Sequence, residues 1–381
     1  MSLSVLGIGT AVPTTTLSMD EGRELARYLC AQNDAHVSWL PSMYSNTGIR
    51  QRHLFFQRSL VDRVIGGDRQ PRYSPTGKAL ADEGTHDIFV PTGPGDRGPT
   101  TAERMRIYRD GASQLAIPAA AAALEQSACA AAAITHLITV SCTGFFAPGI
   151  DSVLIDALGL DACVQRTHVG YMGCHGAING LRVAQAFTGA GPSARVLLCA
   201  VELCGLHYHY GWDPQQIVAN ALFGDGAAAL VGAASVAASG EVWRVRATGS
   251  CRLPNSADAM TWNIGDHGFE MTLARSVPTL IARHLRTWLT AWLEKHGIAL
   301  ADIATWAVHP GGPHILTAVE ECLCLPPDAL AISREIFAEY GNMSSPTILF
   351  ILDRLRERRA KGPCVALGFG PGLVAEAAVL E

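Results

Sequence analysis

The segment Gly170-Tyr-Met-Gly-Cys-His-Gly-Ala177 places one thiol, Cys174, between two glycines and beside His175, just before an apolar stretch that begins at Ile178. A cysteine at the start of a helix meets unpaired N–H groups and the positive end of the helix dipole, and both stabilise a thiolate. Gly173 and Gly176 let backbone and substrate approach closely, and a histidine from elsewhere in the chain would complete an ion pair. Cys174 is therefore a candidate nucleophile, with a packed thiol as the competing reading. His309, in Val308-His-Pro-Gly-Gly-Pro313, follows a strand-like run, and strand ends in α/β sheets are where ligands bind. Catalysis and the capping of a tight turn both fit it. Asn342, in Tyr340-Gly-Asn-Met-Ser-Ser345, has two amide N–H donors for a developing oxyanion and equally fits a helix N-cap.

Other clusters carry less. His207-Tyr-His209 has metal-like spacing, but no clustered carboxylates or thiols complete a site. Gly224-Asp-Gly-Ala-Ala-Ala-Leu230 reads as a turn into a buried strand and Gly368-Phe-Gly-Pro-Gly372 as a rigid hairpin-like loop. Neither has the strand-to-helix context of a dinucleotide fingerprint.

The elements that must hold these residues are α/β in pattern. Strand-like runs at residues 135–141 and 194–202 alternate with helical patterns such as residues 178–187, which points to layered strands and helices. The spacing also repeats. From Cys142, at the end of one strand-like run, to Cys174 is 32 residues, and from Cys174 to the next run at Arg195 is 21; from His309 to Asn342 is 33, and from Asn342 to the run at Cys364 is 22. Both loops open into apolar helical stretches, which suggests a tandem duplication. Equivalent loops meeting at a central pseudo-twofold axis would bring Cys174, His309 and Asn342 together; chance similarity of spacing is the alternative. Residues 66–100, rich in Gly and Pro, read as a long, poorly ordered surface excursion before a helix starting near Thr101.

Composition excludes several classes. The 381 residues suffice for a large core, and for two halves of roughly 150 to 200 residues. Hydrophobic residues make up 49% and charged residues 17%, yet no apolar run reaches the roughly 18 to 20 residues that span a bilayer. The start, MSLSVLGIGTAVP, lacks a basic region and long apolar core, and reads as a strand and turn rather than a signal peptide. A cytoplasmic location is expected. Eleven cysteines, an odd number, without a CxxC, are expected to be reduced thiols rather than disulfides or a zinc site. A net charge of −5 and a pI near 6.2 supply no basic field for nucleic acid.

Taken in order, GCHGAINGLRVA, ALFGDGAAAL, HPGGP, EYGNMSS and GFGPGL resemble the type III polyketide synthases. This is the chalcone synthase and bacterial alkylpyrone or alkylresorcinol synthase family of the thiolase fold, and the resemblance runs from about Leu3 to Leu380. It implies two pseudo-duplicated halves in a five-layered αβαβα arrangement, residues 1–235 carrying Cys174 and residues 236–381 carrying His309 and Asn342. It implies an acyltransferase in which Cys174 takes an acyl-CoA starter, while His309 and Asn342 stabilise the enolate from malonyl-CoA decarboxylation for Claisen condensation and later cyclisation to a pyrone, resorcinol or related aromatic. CoA thioesters are the substrates, no cofactor or metal is implied, and a homodimer is expected. Phe223 matches the family's aromatic gatekeeper, and Met271 replaces a second one. Thr143, Ala147 and Cys204 stand where plant members have serine, methionine and threonine, and Ala147 is expected to open space beside the cavity.

Cys142, Ser344, Gly368, Gly370 and Pro371 are also expected to contact substrate. Features at Val201-Glu-Leu-Cys204 and residues 262–271 look like the alkylpyrone branch and imply a long-chain aliphatic starter, although Trp262, where plant enzymes have glycine, would fill part of the cavity. Basic residues that plant members carry are Trp39, Ser42 and Asn46 here, so CoA phosphate contacts are expected elsewhere, at Arg50 or Arg52. A thiolase would need a second catalytic cysteine immediately before its last glycine turn, whereas Cys364 lies four residues before Gly368. A ketoacyl synthase III-like enzyme would place its histidine in His-Gln-Ala-Asn rather than His-Pro-Gly-Gly-Pro. A non-catalytic acyl-CoA-binding relative is the remaining alternative.

Overall fold

Apolar runs bounded by turn residues form the central strands, whose backbone is buried on both faces. In chain order the strands are β1 (Leu3–Ala11), β2 (Thr16–Ser18), β3 (Gln51–His53), β4 (His136–Ser141), β5 (Gln165–Gly170), β6 (Arg195–Leu203), β7 (Asp225–Ala234), β8 (Arg244–Arg252), β9 (Met260–Gly265), β10 (Gly268–Leu273), β11 (Thr305–Val308), β12 (Cys364–Gly370) and β13 (Val374–Leu380). The helices are α1 (Met19–Cys30), α2 (Asp34–Ser45), α3 (Thr101–Ser127), α4 (Ile150–Leu158), α5 (Gly176–Ala190), α6 (Pro214–Leu222), α7 (Val277–Lys295), α8 (Pro313–Leu323), α9 (Ala331–Tyr340) and α10 (Thr347–Glu357). The computed structural model describes residues 2–55, 61–62, 87–91, 93, 95–234 and 243–381. Most of the excursion expected over residues 66–100, and the boundary expected between residues 235 and 236, lie outside the described residues.

Nine strands form one sheet in the order β11-β12-β13-β8-β1-β7-β6-β4-β5. Along β1-β7-β6-β4 the pairings run antiparallel, antiparallel, parallel. Along β8-β13-β12-β11 they run in the same sequence. Within the sheet the two halves join through a short ladder, the pairs Leu3 with Val245 and Ser4 with Arg244. The repeat in spacing is thus also a repeat in strand order.

Period-two alternation lets each strand feed two cores. In β6, Leu197, Cys199 and Val201 join a core beneath α3, while Val196, Leu198 and Ala200 face the other way. That second core contains Ile178 and Leu181 of α5, Leu349 and Leu352 of α10, and Ala366 and Ala378 from the other half-sheet. Val365 and Leu367 of β12 point outward to Ile281 and Leu285 of α7 and Leu316 of α8. The layers are therefore helices, half-sheet, the helices α5 and α10, half-sheet, helices. This is the five-layered thiolase arrangement that the motifs imply. Among the described residues, no helix is long and apolar enough to cross a membrane.

Close approach of α3 to β1 depends on missing side chains. A Cβ at Gly9 would lie 2.3 Å from the Ala119 carbonyl oxygen. Gly9→Ala is expected to destabilise the fold by about 1–3 kcal/mol, the usual cost of overpacking against backbone. Urea denaturation followed by circular dichroism would show the midpoint fall, and an unchanged midpoint would contradict this packing.

Candidate active site

The central helices α5 and α10 are preceded by turns that meet in the middle of the molecule. Cys174 lies in the short 3₁₀ turn Gly173–His175 that leads into α5 and is buried. Gly173 has φ +71°, and a Cβ there would sit 2.4 Å from Pro371 Cδ, so the turn that carries the thiol is pressed against the β12–β13 connection. A side chain larger than hydrogen has no room at that position.

Asn342 follows α9 through Gly341, whose φ of +69° turns the chain sharply. Its backbone is clamped: Asn342 N–H donates to the Leu222 carbonyl at 2.8 Å, and Gly224 N–H donates to the Asn342 carbonyl at 2.9 Å. The side-chain Oδ1 accepts from Ser344 N–H at 2.8 Å, and the amide lies 3.8 Å from Cys174 Sγ. The N-cap position before α10 is held by Pro346, so Asn342 does not cap that helix. Its amide faces the thiol.

His309 follows β11, with its N–H donated to the Leu367 carbonyl at 2.8 Å. The ring is buried, and neither nitrogen has a hydrogen-bond partner among the described residues. Burial pushes its pKa down to about 3, reinforced by nearby His175, with the Asn342 amide acting in the opposite sense. Burial likewise pushes the Cys174 thiol up to about 11, against the hydrogen-bonding effects of Ser344 and Asn342. At neutral pH the thiol and the imidazole therefore both rest uncharged.

A cavity of about 30 Å³ lies against Cys174 and is lined by Phe223, Met271, Trp262, Cys142, Thr143 and Ser344. Cys204 and Pro371 complete much of the wall. Trp262 is fixed by its indole N–H, which donates to the Cys142 carbonyl at 2.7 Å. Gly368 and Gly370 serve a different neighbour: a Cβ at Gly370 would lie 2.5 Å from the His175 ring and one at Gly368 3.2 Å from His175 Cβ. His175 donates from Nδ1 to Asn179 Oδ1 at 2.7 Å, and Asn179 donates to Glu376 at 3.1 Å. This chain braces the Cys174 turn against β13. Ala147 is exposed after β4 and lies outside the wall that one protomer builds around this cavity.

Three site features carry no sequence signal strong enough to assign them. Glu202, wholly buried on β6, accepts from the N–H groups of Cys142 and Thr143, from the Thr143 hydroxyl at 2.7 Å and from the Ser345 hydroxyl at 2.5 Å. His207 donates from Nε2 to the Thr143 carbonyl at 2.6 Å and stacks on Phe269 with ring centroids 4.1 Å apart. Met260 and Thr261, from the β9–β10 hairpin, also border the cavity. A lone carboxylate inside an apolar strand was the one available hint for Glu202.

A groove of about 1,250 Å³ runs from Trp39, Ser42 and Asn46 on and just beyond α2 to Leu222 and Gly311, beside Phe223 and His309 respectively. Arg275 lies in its wall. Arg50 is exposed and 3.6 Å from Glu339. Arg52 is 1% exposed, with its guanidinium bonded to main-chain carbonyls. The expectation that Arg52 would meet CoA phosphates is thus corrected: it faces inward.

Known proteins share this arrangement. Residues 91–235 and 245–381 match the family models for the N-terminal and C-terminal domains of chalcone and stilbene synthases. The 1,3,6,8-tetrahydroxynaphthalene synthase of Streptomyces peucetius subsp. caesius is 32% identical over 387 residues, covering 99% of this chain and 93% of its own. The alpha-pyrone synthesis polyketide synthase-like Pks18 of Mycobacterium tuberculosis is 32% identical over 289 residues, 74% of each chain. The crystal structure of PKS-I from the brown alga Ectocarpus siliculosus superposes with a TM-score of 0.87 at 26% identity, covering 100% of this chain and 98% of that one.

A thiol with pKa near 11 supplies thiolate in proportion to hydroxide. Alkylation of Cys174 by iodoacetamide, mapped by peptide mass spectrometry, is therefore expected to rise about tenfold per pH unit from about pH 7 to about pH 9. A rate already level by about pH 7 would contradict the uncharged resting state.

Proposed function

The chain belongs to the family of chalcone and stilbene synthases and is a type III polyketide synthase, an acyltransferase, and we propose that Cys174 carries the acyl chain while Asn342 and His309 hold the thioester that extends it. The observation that carries this division is the meeting of Cys174 from the first half of the duplication with the Asn342 amide from the second, 3.8 Å apart. The Cys174 sulfur attacks an acyl-CoA carbonyl, its proton passes to the neutral His309 imidazole, and the CoA thiolate leaves with that proton. Malonyl-CoA then enters. Its thioester oxygen takes hydrogen bonds from the Asn342 amide and the His309 ring, which stabilise the enolate left when carbon dioxide departs. The enolate carbon attacks the Cys174 thioester, the C–S bond breaks, and a β-ketoacyl-CoA results. No cofactor enters this scheme.

The groove lined by Trp39 and Gly311 is the approach for the CoA arm, since its wall includes Leu222 and Gly311, close in the chain to Phe223 and His309, and carries Arg275. The homodimer expected of the family is supported by an exposed apolar patch. Phe145 is 57% and Ile264 55% exposed; Phe145 stacks on Phe269 and Tyr171 meets it edge-on, while Ile264 pairs with Phe269 across the hairpin. Contiguous apolar surface of this kind marks an association site.

For the starter, a long aliphatic acyl chain is the reading supported by the alkylpyrone-like motifs and by the alpha-pyrone relative, with a pyrone, resorcinol or related aromatic as product. The cavity favours a second reading, a short acyl starter. Its 30 Å³ beside Cys174 has room for about two water molecules, and Trp262 is bonded in place across it. A long chain requires that indole to swing aside; a short one does not.

Mass spectrometry of products from a panel of acyl-CoA starters with malonyl-CoA separates the readings. On the long-chain reading, long-chain starters are expected to outcompete both short-chain acyl-CoAs and 4-coumaroyl-CoA; a preference for short acyl starters selects the second reading, and a clear preference for the aromatic starter would sink the aliphatic reading. Cys174→Ala is expected to abolish incorporation of a radiolabelled starter; retained acyl-enzyme would refute the assignment of the nucleophile.

A further inference from the structure

We propose that Arg52 is a positioning residue for the condensation step, holding the Phe223 backbone and the Asn342 amide in register from behind the site. The inference rests on the roles given above to Cys174 and Asn342. Arg52 on β3 is buried, and its charge acts on the buried carboxylate of Asp225, drawing that group's pKa down against the effect of burial. Among the described residues its hydrogen bonds go to two main-chain carbonyls, those of Asn220 and Phe223, the latter at 2.9 Å. Both belong to the C-terminal end of α6, where helix carbonyls lack intrahelical partners and a cation is favoured by the dipole.

The segment that Arg52 fixes is the one that clamps Asn342. Leu222 accepts from Asn342 N–H and Gly224 donates to the Asn342 carbonyl, so Phe223 and Asn342 form a two-way bridge between the halves. Arg52 also touches the other side of that bridge. A Cβ at Gly341 would lie 2.9 Å from Arg52 Cγ and 2.7 Å from the Leu222 carbonyl oxygen. One side chain therefore contacts the residue before Asn342 and bonds the carbonyl of the residue facing it. Displacing either strand of the bridge moves the amide that faces Cys174. The turn that carries Cys174 is held separately, by Pro371 and by the contacts of His175.

That separation makes the two chemical steps respond differently. In Arg52→Gln, starter loading on Cys174, followed by intact-mass spectrometry, is expected to stay near the wild-type rate. Consumption of that acyl group on adding malonyl-CoA is expected to slow on the order of 100-fold, the scale for a displacement of about 1 Å at a reacting group. Arg52→Lys, which keeps a donor at the carbonyls, is expected to recover part of the loss. Thermal melting of each variant checks the fold. Loading and condensation falling in equal proportion, or neither falling, overturns the proposal; so does a failure of both variants to fold, which would make Arg52 a residue of the fold alone. A wild-type enzyme that loads no starter removes the functional reading itself, whereas unchanged kinetics in both variants remove this inference only.

Discussion

One buried carboxylate ties the halves of the molecule together at the place where chemistry would occur. Glu202 has no exposure, and burial raises its pKa while its donors pull the other way. It satisfies the N–H groups of Cys142 and Thr143, which close β4, and it accepts the hydroxyl of Ser345, one residue before the start of the chain's turn into α10. Each charge-assisted bond contributes about 1.5–3 kcal/mol, and losing the acceptor would leave buried donors unpaired at further cost. Cys142 Sγ in turn lies 3.3 Å from the Ser344 hydroxyl. The floor of the cavity is therefore a bonded seam between a strand end of one half and a loop of the other.

The rest of the site follows from that seam. Because α5 and α10 are both buried between the half-sheets, their leading turns cannot reach solvent and face each other instead. A thiol on one turn and an amide on the other come within contact of each other without either being mobile. Electrostatic stabilisation of a developing oxyanion depends on donors fixed before reaction, and here the Asn342 donor is fixed by backbone bonds on both sides. The uncharged resting state of Cys174 and His309 has the same origin, since a site closed off from water penalises charge until substrate arrives.

Much of this was legible in the sequence where burial is local in its demands. Runs at residues 135–141 and 194–202 became β4 and β6 within a residue, because strands buried on both faces read as continuous apolar stretches. The near-equal spacings around Cys174 and Asn342 reported a true repeat of strand order. Contacts between distant segments were not legible. Arg52 and Arg50 stand two residues apart in the same run, yet one faces water and the other faces carbonyls 168 and 171 residues away. The stack of His207 on Phe269 was not legible because it forms only when β10 packs against the turn that follows β6.

The central claim is that residues of the two halves divide one reaction, Cys174 holding the acyl group and Asn342 serving the enolate. Intact-mass spectrometry of Asn342→Ala, loaded with an acyl-CoA and then given malonyl-CoA, tests it most directly. The account predicts an acyl adduct on Cys174 that forms and then persists. An adduct consumed at the wild-type rate would contradict it.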